Sequence, residues 1–311
     1  MGLKTKVKSL VNKCKNFATS KYFSLKKKRL LKKIKLAELN YEPFPFLIIY
    51  NFFDPEEFKK ITLSESIIVE GNSDEELIDN LSSKGWDPIK FPGCSENKSD
   101  YLNFRKTGQL GNITPEMCEG FGMAVRLNKK RNKFLEEYIN FFNSIDFIDA
   151  IANKFNIERY ENETIDSGLQ KYLDGYEISP HPDIRKKLLT FMINVNTNSY
   201  SEDCIHHTHL LDLKKRYLNI NNYWDQNPLS DRAWLPWDWC NTKFIHKQNN
   251  SLIAFPPCNL SLHAVKANYD HLKHQRTQFY GNLWLTENPC NSMPDHKALK
   301  KLCLITENSS P

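Results

Sequence analysis

The second half of the chain alternates apolar and polar residues with a period of two, and this pattern constrains the fold more than any other feature. Because successive side chains of a strand point to opposite faces, each alternating run predicts a half-buried β-strand. Turn residues such as Asp174-Gly175 and Pro256-Pro257 separate the runs. Several consecutive strands of this kind predict an antiparallel barrel or a two-sheet jelly roll. The predicted strands are Leu169–Tyr172, Tyr176–His181, Lys187–Asn196, Thr208–Leu213, Ser251–Phe255, Ser261–Lys266 and Arg276–Thr286.

The first half is mainly helical in pattern, which makes the fold class α+β, with helices backing the strands. One buried strand is predicted within Pro43–Phe53, and residues 85–112 are predicted to form a loop with one strand. Residues 133–155 carry an apolar stripe that predicts two helices broken near Ser144. Further helices are predicted to start at Asp54-Pro55, at Asp74 and at Thr114-Pro115.

The positive charge of the chain is concentrated at its N-terminus. Residues 1–40 hold twelve Lys and one Arg against one Glu, a net charge of +12, although the whole chain carries only +6. The rest is therefore acidic, and a uniformly basic nucleic-acid binder is disfavoured. The apolar residues between Val7 and Ala18 recur at helical spacing. This predicts either a basic amphipathic helix on an anionic membrane surface or a solvated N-terminal extension.

Composition predicts a single folded domain in the cytoplasm, peripheral at a membrane if the basic segment binds one. No window is apolar enough to span a bilayer, and the N-terminus lacks the apolar core of a secretory signal. Eight Cys are scattered without a CxxC pair, as expected of reduced thiols. The predicted organisation is a basic extension at 1–40, one domain at 41–290 with a surface flap at 214–243, and a tail at 291–311.

An imidazole and a carboxylate lie two residues apart, at His181 and Asp183, at the end of a predicted strand. The strand period of two places both on one face, where they could be neighbouring ligands of one metal ion. His263, which opens a later apolar strand, is the candidate for a third ligand. Two histidines and one carboxylate form the facial ligand set associated with non-haem Fe(II).

A basic residue opens the last predicted strand. Alternation along Arg276–Trp284 places Arg276 on the same face as Tyr280, opposite Phe279. An arginine that faces the inside of a barrel needs an anion there, because an unpaired buried guanidinium is costly. A dicarboxylate cosubstrate could supply one through a bidentate pair. Lys273 is the alternative, since it lies nearer to His263 in sequence, but Arg276 begins the clearer strand.

Taken in order, these elements resemble the Fe(II)/2-oxoglutarate-dependent dioxygenases. The resemblance covers about residues 43–287 and is closest to the prolyl-4-hydroxylase-like branch. It rests on His181-x-Asp183, the distal His263 and the basic residue opening the last strand. Three further stretches carry it: Pro43-Phe44-Pro45-Phe46, Tyr172-Leu173-Asp174-Gly175 and the run Lys187–Asn194.

The resemblance implies a double-stranded β-helix with iron held by His181, Asp183 and His263, with no other catalytic side chain. It implies that 2-oxoglutarate and dioxygen are consumed, with ascorbate as a possible reductant, and that an unactivated C–H bond is hydroxylated with release of succinate and CO2. Arg276 would hold the distal carboxylate of 2-oxoglutarate. Tyr172, Thr190 and Asn194 would line the same pocket, and the substrate-lining candidates are Tyr280, Asn282, Trp284 and Trp237.

Several alternatives remain within this interpretation. The strand around Thr208–Leu211 lacks the Gly-Gly lead-in common in prolyl hydroxylases, which puts a peptidyl-proline substrate in doubt. The carboxylate at Asp183 disfavours halogenation, and Asn282, where the nucleic-acid demethylases carry a second arginine, disfavours that branch. The substrate is then a small molecule or a residue on a larger one. The rival functions are a non-catalytic β-helix that binds a ligand at a membrane and a nucleic-acid-directed oxygenase steered by the basic segment.

Other conspicuous side chains are assigned to structure. His206 and His207 are adjacent, so a strand would point them to opposite faces, and we do not predict them, or His209, as metal ligands. We expect His271 and His274 at the surface. Trp234, Trp237 and Trp239 could stack on a substrate or could cover the mouth of the barrel.

Overall fold

The computed structural model describes residues 23–90, 94–108, 122–128 and 132–292, which form two antiparallel sheets and the helices packed on them. The helices are α1 23–36, α2 Pro55–Thr62, α3 Asp74–Ser83, α4 Lys98–Thr107, α5 Lys133–Phe142, α6 Ile145–Ala152 and α7 Asn219–Gln226. The strands are β1 Leu39–Asn40, β2 Phe46–Ile49, β3 Trp86–Pro88, β4 Ala124–Leu127, β5 Glu163–Tyr172, β6 Glu177–His181, β7 Lys187–Asn194, β8 Thr208–Leu213, β9 Cys240–His246, β10 Leu252–Phe255, β11 His263–Lys266 and β12 Arg276–Leu285.

The two sheets differ in size. The large sheet has eight strands in the order β1-β2-β10-β7-β12-β5-β4-β3, and the small sheet has four in the order β6-β11-β8-β9. Strands β1 to β5 all belong to the large sheet. The chain then passes back and forth between the sheets, with β6, β8, β9 and β11 in the small sheet and β7, β10 and β12 in the large one. All seven strands predicted from the period-two runs are confirmed, although some bounds shift by a few residues.

Apolar side chains fill the space between the sheets. Phe46, Met192 and Tyr280 of the large sheet form one buried cluster with Leu210 of the small sheet. Phe46 also contacts Phe244 of β9, with ring centroids 5.1 Å apart. The inner faces therefore pack directly against each other, and the polar residues gathered at one end of this interface form the candidate site described below.

The opposite face of the large sheet is covered by helices. Phe279 of β12 packs on Phe142 of α5, with ring centroids 4.9 Å apart, and Phe191 of β7 packs on Phe147 of α6 at 5.0 Å. The predicted break between these helices is confirmed, because Ser144 caps α6 by accepting a hydrogen bond from the backbone N–H of Phe147. The alternation along β12 thus sends one set of side chains to the helices and the other towards the small sheet.

Helix α1 lies before residue 41, where the predicted domain begins, and packs against the core. In α1, Leu30 and Ile34 are fully buried against the core. Lys26 forms an ion pair with the buried Glu57 at 3.1 Å, and Arg29 also contacts Glu57. The many basic residues of this segment suggested an extension that does not pack on the domain. Two apolar residues four positions apart, Leu30 and Ile34, are nevertheless enough to pack the helix against the core. The predictions for residues 1–22 lie outside the described residues.

Residues 214–243 are only partly the surface flap that was predicted. Residues 240–243 belong to β9, an edge strand whose largely exposed side chains give no alternating pattern. Before it, α7 packs onto the outer face of the small sheet: Trp224 and Leu235 are 1% exposed and form one cluster with Leu211. The segment is thus a covering layer with its own core, because its apolar residues have a sheet face to bury.

Two further elements differ from the expectations. Helix α4 lies where a loop was predicted; it is capped by Asn97 and buries only Tyr101, so its apolar pattern is weak. Strand β4 was also missed. The helix start predicted at Thr114-Pro115 lies outside the described residues. Within the part of the chain that is described, no helix combines the length and the apolar character needed to cross a bilayer.

Candidate metal centre and anion pocket

His181 and His263 lie directly opposite each other on neighbouring strands. The antiparallel register of β6 and β11 pairs the Cα atoms of these two residues, and the centroids of their rings are 4.3 Å apart. Directly opposed residues of an antiparallel pair point to the same face of the sheet. Strand pairing therefore brings together two imidazoles that are far apart in sequence.

Asp183 completes the group, since it follows β6 and turns its carboxylate between the two rings. Its Oδ1 lies 3.8 Å from Nε2 of His181, and its Oδ2 lies 3.8 Å from Nε2 of His263. One donor atom from each side chain lies within 4.8 Å of the others, and within the described residues no other group of three such side chains is gathered so closely. Two imidazole nitrogens and one carboxylate oxygen on one face leave the opposite side of an octahedral metal open.

Hydrogen bonds fix the tautomer of both imidazoles. Nδ1 of His181 lies 2.8 Å from the carbonyl oxygen of Ser179, and Nδ1 of His263 lies 3.0 Å from that of Ser261. A carbonyl oxygen can only accept, so each Nδ1 carries the hydrogen and each Nε2 presents a lone pair to the centre. Burial lowers the pKa of His181 to about 3 and also lowers the pKa of His263. Both rings are therefore neutral, as a metal ligand requires.

The carboxylate of Asp183 is ionised and held by two donors. Lys187 Nζ donates to Oδ1 at 2.5 Å, and Thr190 Oγ1 donates to Oδ2 at 2.6 Å. Burial acts to raise the pKa of Asp183, but the ammonium of Lys187 and the two imidazoles outweigh it and hold the pKa well below its usual range. Lys187 is itself kept charged: burial opposes this, and the charge of Asp183 raises its pKa on balance.

Lys187 is a functional candidate that sequence reasoning missed. Its side chain is 3% exposed, donates to the hydroxyl of Tyr280 at 3.2 Å and lies over the ring of Trp284 at 4.9 Å. The available signal was a charged residue opening the otherwise apolar strand β7, four residues after Asp183. A buried lysine needs a partner, and the nearest predicted carboxylate was the metal ligand itself.

Arg276 lies at the inner end of a cavity between the sheets. Its Nη2 donates to Oγ1 of Thr208 at 2.8 Å, and its guanidinium lies over the ring of Tyr172 at 4.5 Å. Its Nη1 is buried without a hydrogen-bond partner, and no carboxylate among the described residues pairs with it. Burial lowers the pKa of this guanidinium. The cavity lining consists of Tyr172, Tyr176, Ile178, His181, Met192, Thr208, His263, Val265, Arg276, Gln278 and Tyr280.

The alternative basic residue, Lys273, is on the surface. Its side chain is 74% exposed and pairs with Asp270 at 2.9 Å, whereas Arg276 is 3% exposed. Arg276, Gln278 and Tyr280 share the cavity face of β12, as their alternation predicted. Arg276 is therefore the buried basic residue of this cavity, and the metal-ligand candidates His181 and His263 line the cavity from the small sheet.

The other predicted pocket residues are divided. Tyr172 and Tyr280 line the cavity, but Thr190 and Asn194 do not. Thr190 is directed to Asp183 instead, and the side-chain amide of Asn194 donates to the carbonyl oxygens of His246 and Gln248. Both polar side chains thus already have partners within the protein: Thr190 has the carboxylate of Asp183, and Asn194 has backbone carbonyl groups.

The substrate-lining candidates Asn282, Trp284 and Trp237 also lie outside the cavity lining. Asn282 is within hydrogen-bond distance of Thr190, with the oxygens 3.3 Å apart, and Trp284 covers Lys187. Trp237 donates to Glu177 at 2.7 Å from the outer layer. Asn282 and Trp284 thus contact the two residues that hold Asp183, and Trp237 contacts β6. Contact of these three side chains with a substrate remains a prediction.

Two other histidines among the described residues, His206 and His271, are buried. His206 is fully buried and packs edge-on against His207 and Tyr269. His271 is buried as well, which corrects the expectation that it lies at the surface: it accepts a hydrogen bond from the backbone of Asp174 and contacts Asp74 at 3.0 Å. Its position ties α3 to the turn between β5 and β6.

Comparison with known proteins gives structural neighbours only. No protein-family model and no curated protein matches the sequence. A prolyl-4-hydroxylase from Pseudomonas putida aligns with 82% of this chain and 97% of its own, at 6% identity and a TM-score of 0.43. A prolyl hydroxylase from Trichoplax adhaerens, in complex with a hypoxia inducible factor peptide, aligns with 88% of this chain and 94% of its own, at 14% identity and a TM-score of 0.41.

A third neighbour is HygX from Streptomyces hygroscopicus, solved with nickel, 2-oxoglutarate and hygromycin B. It aligns with 78% of this chain and 83% of its own, at 7% identity and a TM-score of 0.35. The neighbours are thus prolyl hydroxylases and a protein crystallised with 2-oxoglutarate, and the chain described here carries a His-Asp-His group. At these TM-scores the functional case depends on the side chains of the site.

Proposed function

We propose that this chain is an Fe(II)- and 2-oxoglutarate-dependent dioxygenase with a double-stranded β-helix core that hydroxylates an unactivated C–H bond. One observation carries the proposal: two neutral imidazoles and an ionised carboxylate converge within 4.8 Å, and the two imidazoles line a cavity that also holds a buried arginine with an unpartnered Nη1. The repeated passage of the chain between two antiparallel sheets from β5 onwards supports the choice of such a core.

The donor set fits Fe(II). The donors on one face are two imidazole nitrogens, Nε2 of His181 and Nε2 of His263, and one carboxylate oxygen of Asp183. Non-haem Fe(II) binds this combination of borderline and hard donors and keeps further coordination positions open. Both rings are held by backbone carbonyls, so little rearrangement is needed to bind a metal. Lys187 and Thr190 would keep Asp183 ionised and oriented for it.

The cavity fits the carboxylate end of 2-oxoglutarate. Arg276 offers Nη1, and Thr208 and Tyr172 lie beside the same guanidinium. The cavity volume is about 30 Å³, room for roughly two water molecules and less than 2-oxoglutarate occupies. Binding would therefore move side chains, and Met192, which is flexible and lines the cavity, is the one best able to yield.

When bound, Fe(II) and 2-oxoglutarate supply the activation of dioxygen, with succinate and CO2 as products and a reductant such as ascorbate to maintain the ferrous state. The chain's part is to bind, orient and exclude water. Arg276 would fix one end of the cosubstrate, and the two histidines with Asp183 would fix the metal at the other. Ile178, Met192 and Tyr280 would keep bulk water from the space between them.

Spectroscopy tests the proposal directly. Anaerobic addition of Fe(II) and 2-oxoglutarate to the wild-type protein should produce a visible metal-to-ligand charge-transfer band, and slow succinate formation should follow when oxygen is admitted. His181→Ala and Asp183→Ala should lose the band. If the wild-type protein gives no band and forms no succinate with a broad substrate panel, the proposal fails.

A non-catalytic ligand-binding module is the second candidate, and Lys187 is the observation that favours it. Its ammonium already neutralises the carboxylate that a metal would use. Such a module should keep its ligand affinity in His181→Ala and should copurify without iron; a dioxygenase should lose cosubstrate binding. Cytoplasmic location and membrane binding by residues 1–40 remain predictions, as does a small-molecule or macromolecule-borne substrate. In the described part, Lys26 and Arg29 are used in contacts with the core.

A further inference from the structure

A second buried arginine, Arg232, lies near the metal centre outside the cavity that Arg276 occupies. It follows Asp231 in the connection between α7 and β9, and its side chain is 6% exposed. Unlike Arg276, it is not part of the cavity lining. Sequence analysis gave it no role, because it falls in the segment whose pattern predicted only a surface flap.

The backbone around Arg232 is fastened to the segment that carries the metal-ligand candidates. The N–H of Leu235 donates to the carbonyl oxygen of Pro180 at 2.6 Å, next to His181. On the other side, the N–H of Arg185 donates to Oδ1 of Asp231 at 2.9 Å. The connection is therefore hydrogen-bonded to both ends of the stretch from Pro180 to Arg185. This stretch contains the ligand candidates His181 and Asp183.

The side chain reaches the connection that leads to the third ligand candidate. Nη1 of Arg232 donates to Oδ1 of Asn259 at 3.3 Å, four residues before His263. The connection around Arg232 thus contacts both segments that supply the His-Asp-His group: Leu235 and Asp231 bond to the segment from Pro180 to Arg185, and Arg232 itself bonds to Asn259. The charge of Asp183 acts on it as well: burial and the charge of Arg185 lower the pKa of Arg232, and Asp183 partly offsets this.

The guanidinium of Arg232 is incompletely paired. Its Nε is buried without a hydrogen-bond partner, and its one side-chain hydrogen bond goes to a neutral amide. Among the described residues no carboxylate forms an ion pair with it. The neighbouring carboxylate of Asp231 is used by the backbone N–H groups of Arg185 and Arg232. A buried guanidinium without an anion is costly, so the site is built to receive one.

We propose that Arg232 is a specificity-determining residue that binds a carboxylate or phosphate group of the substrate, while Arg276 binds the cosubstrate. This rests on the proposed function, because it assigns the substrate side of the same centre. The planar fork of arginine suits bidentate binding of either anion. The substrate class is therefore an acidic molecule, or an acidic group on a larger one. Its reacting C–H bond would reach the His-Asp-His group while its acidic group binds Arg232.

The test measures the affinity of simple charged probes by calorimetry. The protein is loaded anaerobically with Fe(II) and 2-oxoglutarate, so that Arg276 is engaged, and is titrated with benzoate, phenyl phosphate and neutral benzamide. We expect at least one charged probe to bind about tenfold more tightly than benzamide. Arg232→Gln should abolish this preference, and Arg232→Lys should keep part of it. The control variant Arg216→Gln removes an exposed positive charge from the same segment, residues 214–243, and should leave the preference unchanged. A preference that survives Arg232→Gln, or no preference in the wild-type protein, overturns the proposal.

Two further measurements keep the test decisive. If the wild-type protein fails to give the charge-transfer band, the proposed function fails. The same titration on metal-free Arg276→Gln protein then shows whether Arg232 binds the charged probes without a contribution from Arg276. Thermal unfolding separates binding from structure: removal of a buried, unpaired charge should leave the melting temperature of Arg232→Gln equal to or above that of wild type. A fall of several degrees would make Arg232 a structural residue and overturn the proposal.

Discussion

Lys187 donates a hydrogen bond to Oδ1 of Asp183, the oxygen that also faces the imidazole of His181. One buried ammonium and one prospective metal ion thus share a single carboxylate. The pairing keeps Asp183 ionised in a site that is almost closed to water, because the opposite charge compensates for burial. Lys187 therefore prepares the ligand and also competes with the metal for it.

Replacing Lys187 with Met should destabilise the metal-free protein by about 3 kcal/mol, because it leaves the charge of Asp183 buried without its partner. A bound metal would restore a positive charge, so Zn(II) should stabilise the variant more than the wild type. Urea unfolding with and without Zn(II) measures both effects. Lys186→Met, at the half-buried neighbouring position, is the control. An equal loss with and without metal would contradict the shared-carboxylate interpretation.

Arg276→Gln should weaken 2-oxoglutarate binding by about 10- to 100-fold, since a charge-assisted pair contributes roughly 1.5 to 3 kcal/mol. The metal affinity should stay close to that of wild type, because Arg276 donates to Thr208 and to none of the ligand candidates. Titration of the charge-transfer band gives the cosubstrate affinity. Lys273→Gln should behave as wild type, and a stronger effect from Lys273 than from Arg276 would reverse the assignment.

Thr190→Val should weaken metal binding by roughly 10- to 100-fold, as expected when a ligand loses the hydrogen bond that orients it. The hydroxyl of Thr190 donates to Oδ2 of Asp183, and valine keeps its shape without the donor. Thr190→Ser should restore most of the affinity. Competition with a chelator measures it. If valine and serine bind metal equally well, the hydroxyl does not position Asp183.

Glu57→Gln should lower stability at neutral pH, and the difference from wild type should shrink in acid. Ion pairs with Lys26 and Arg29 and a hydrogen bond from Tyr138 hold the pKa of Glu57 below its ordinary value of 4.5, although burial opposes them. The unfolded chain therefore takes up the proton first, so this stabilisation is complete above about pH 4.5 and is lost as the pH falls through the folded-state pKa.

Chemical denaturation of wild type and Glu57→Gln between pH 3 and 7 measures this difference, with the exposed Glu56→Gln as its control. The same experiment tests the docking of α1, because Lys26 and Arg29 lie on that helix. A difference between the two proteins that does not change over this pH range would mean that the ion pairs of Glu57 contribute nothing to stability.

The parts of the site that could be predicted from the sequence are those encoded locally. His181, Asp183 and the face of β12 that bears Arg276 follow from a period of two, which needs no knowledge of the fold. His263 could be selected only by its position in the order of strands. These predictions agree with the structure because, on a strand, the spacing of two residues in sequence fixes the face of the sheet to which each side chain points.

What the sequence left hidden depends on contacts between distant segments. The place of Lys187 beside Asp183 requires that the chain turn back after β6, and the burial of Arg232 requires that residues 231–235 lie against the end of that strand. The resemblance to the dioxygenases implied that Thr190 and Asn194 line the cosubstrate pocket. Their actual partners, Asp183 and the carbonyl oxygens of residues 246 and 248, become available only when the sheets are assembled.

If His181 and His263 bind a metal ion, their in-register pairing makes the small sheet itself part of the metal site. A slip of one residue between β6 and β11 would turn one imidazole to the other face and dismantle the centre. Pro180, which has no N–H to offer the ladder, lies where the β6–β11 pairing is irregular, so few alternative alignments are equally good. A bound ion would then stabilise the alignment of β6 with β11 and slow amide hydrogen exchange in both strands. Loss of the metal would first increase local opening of the small sheet.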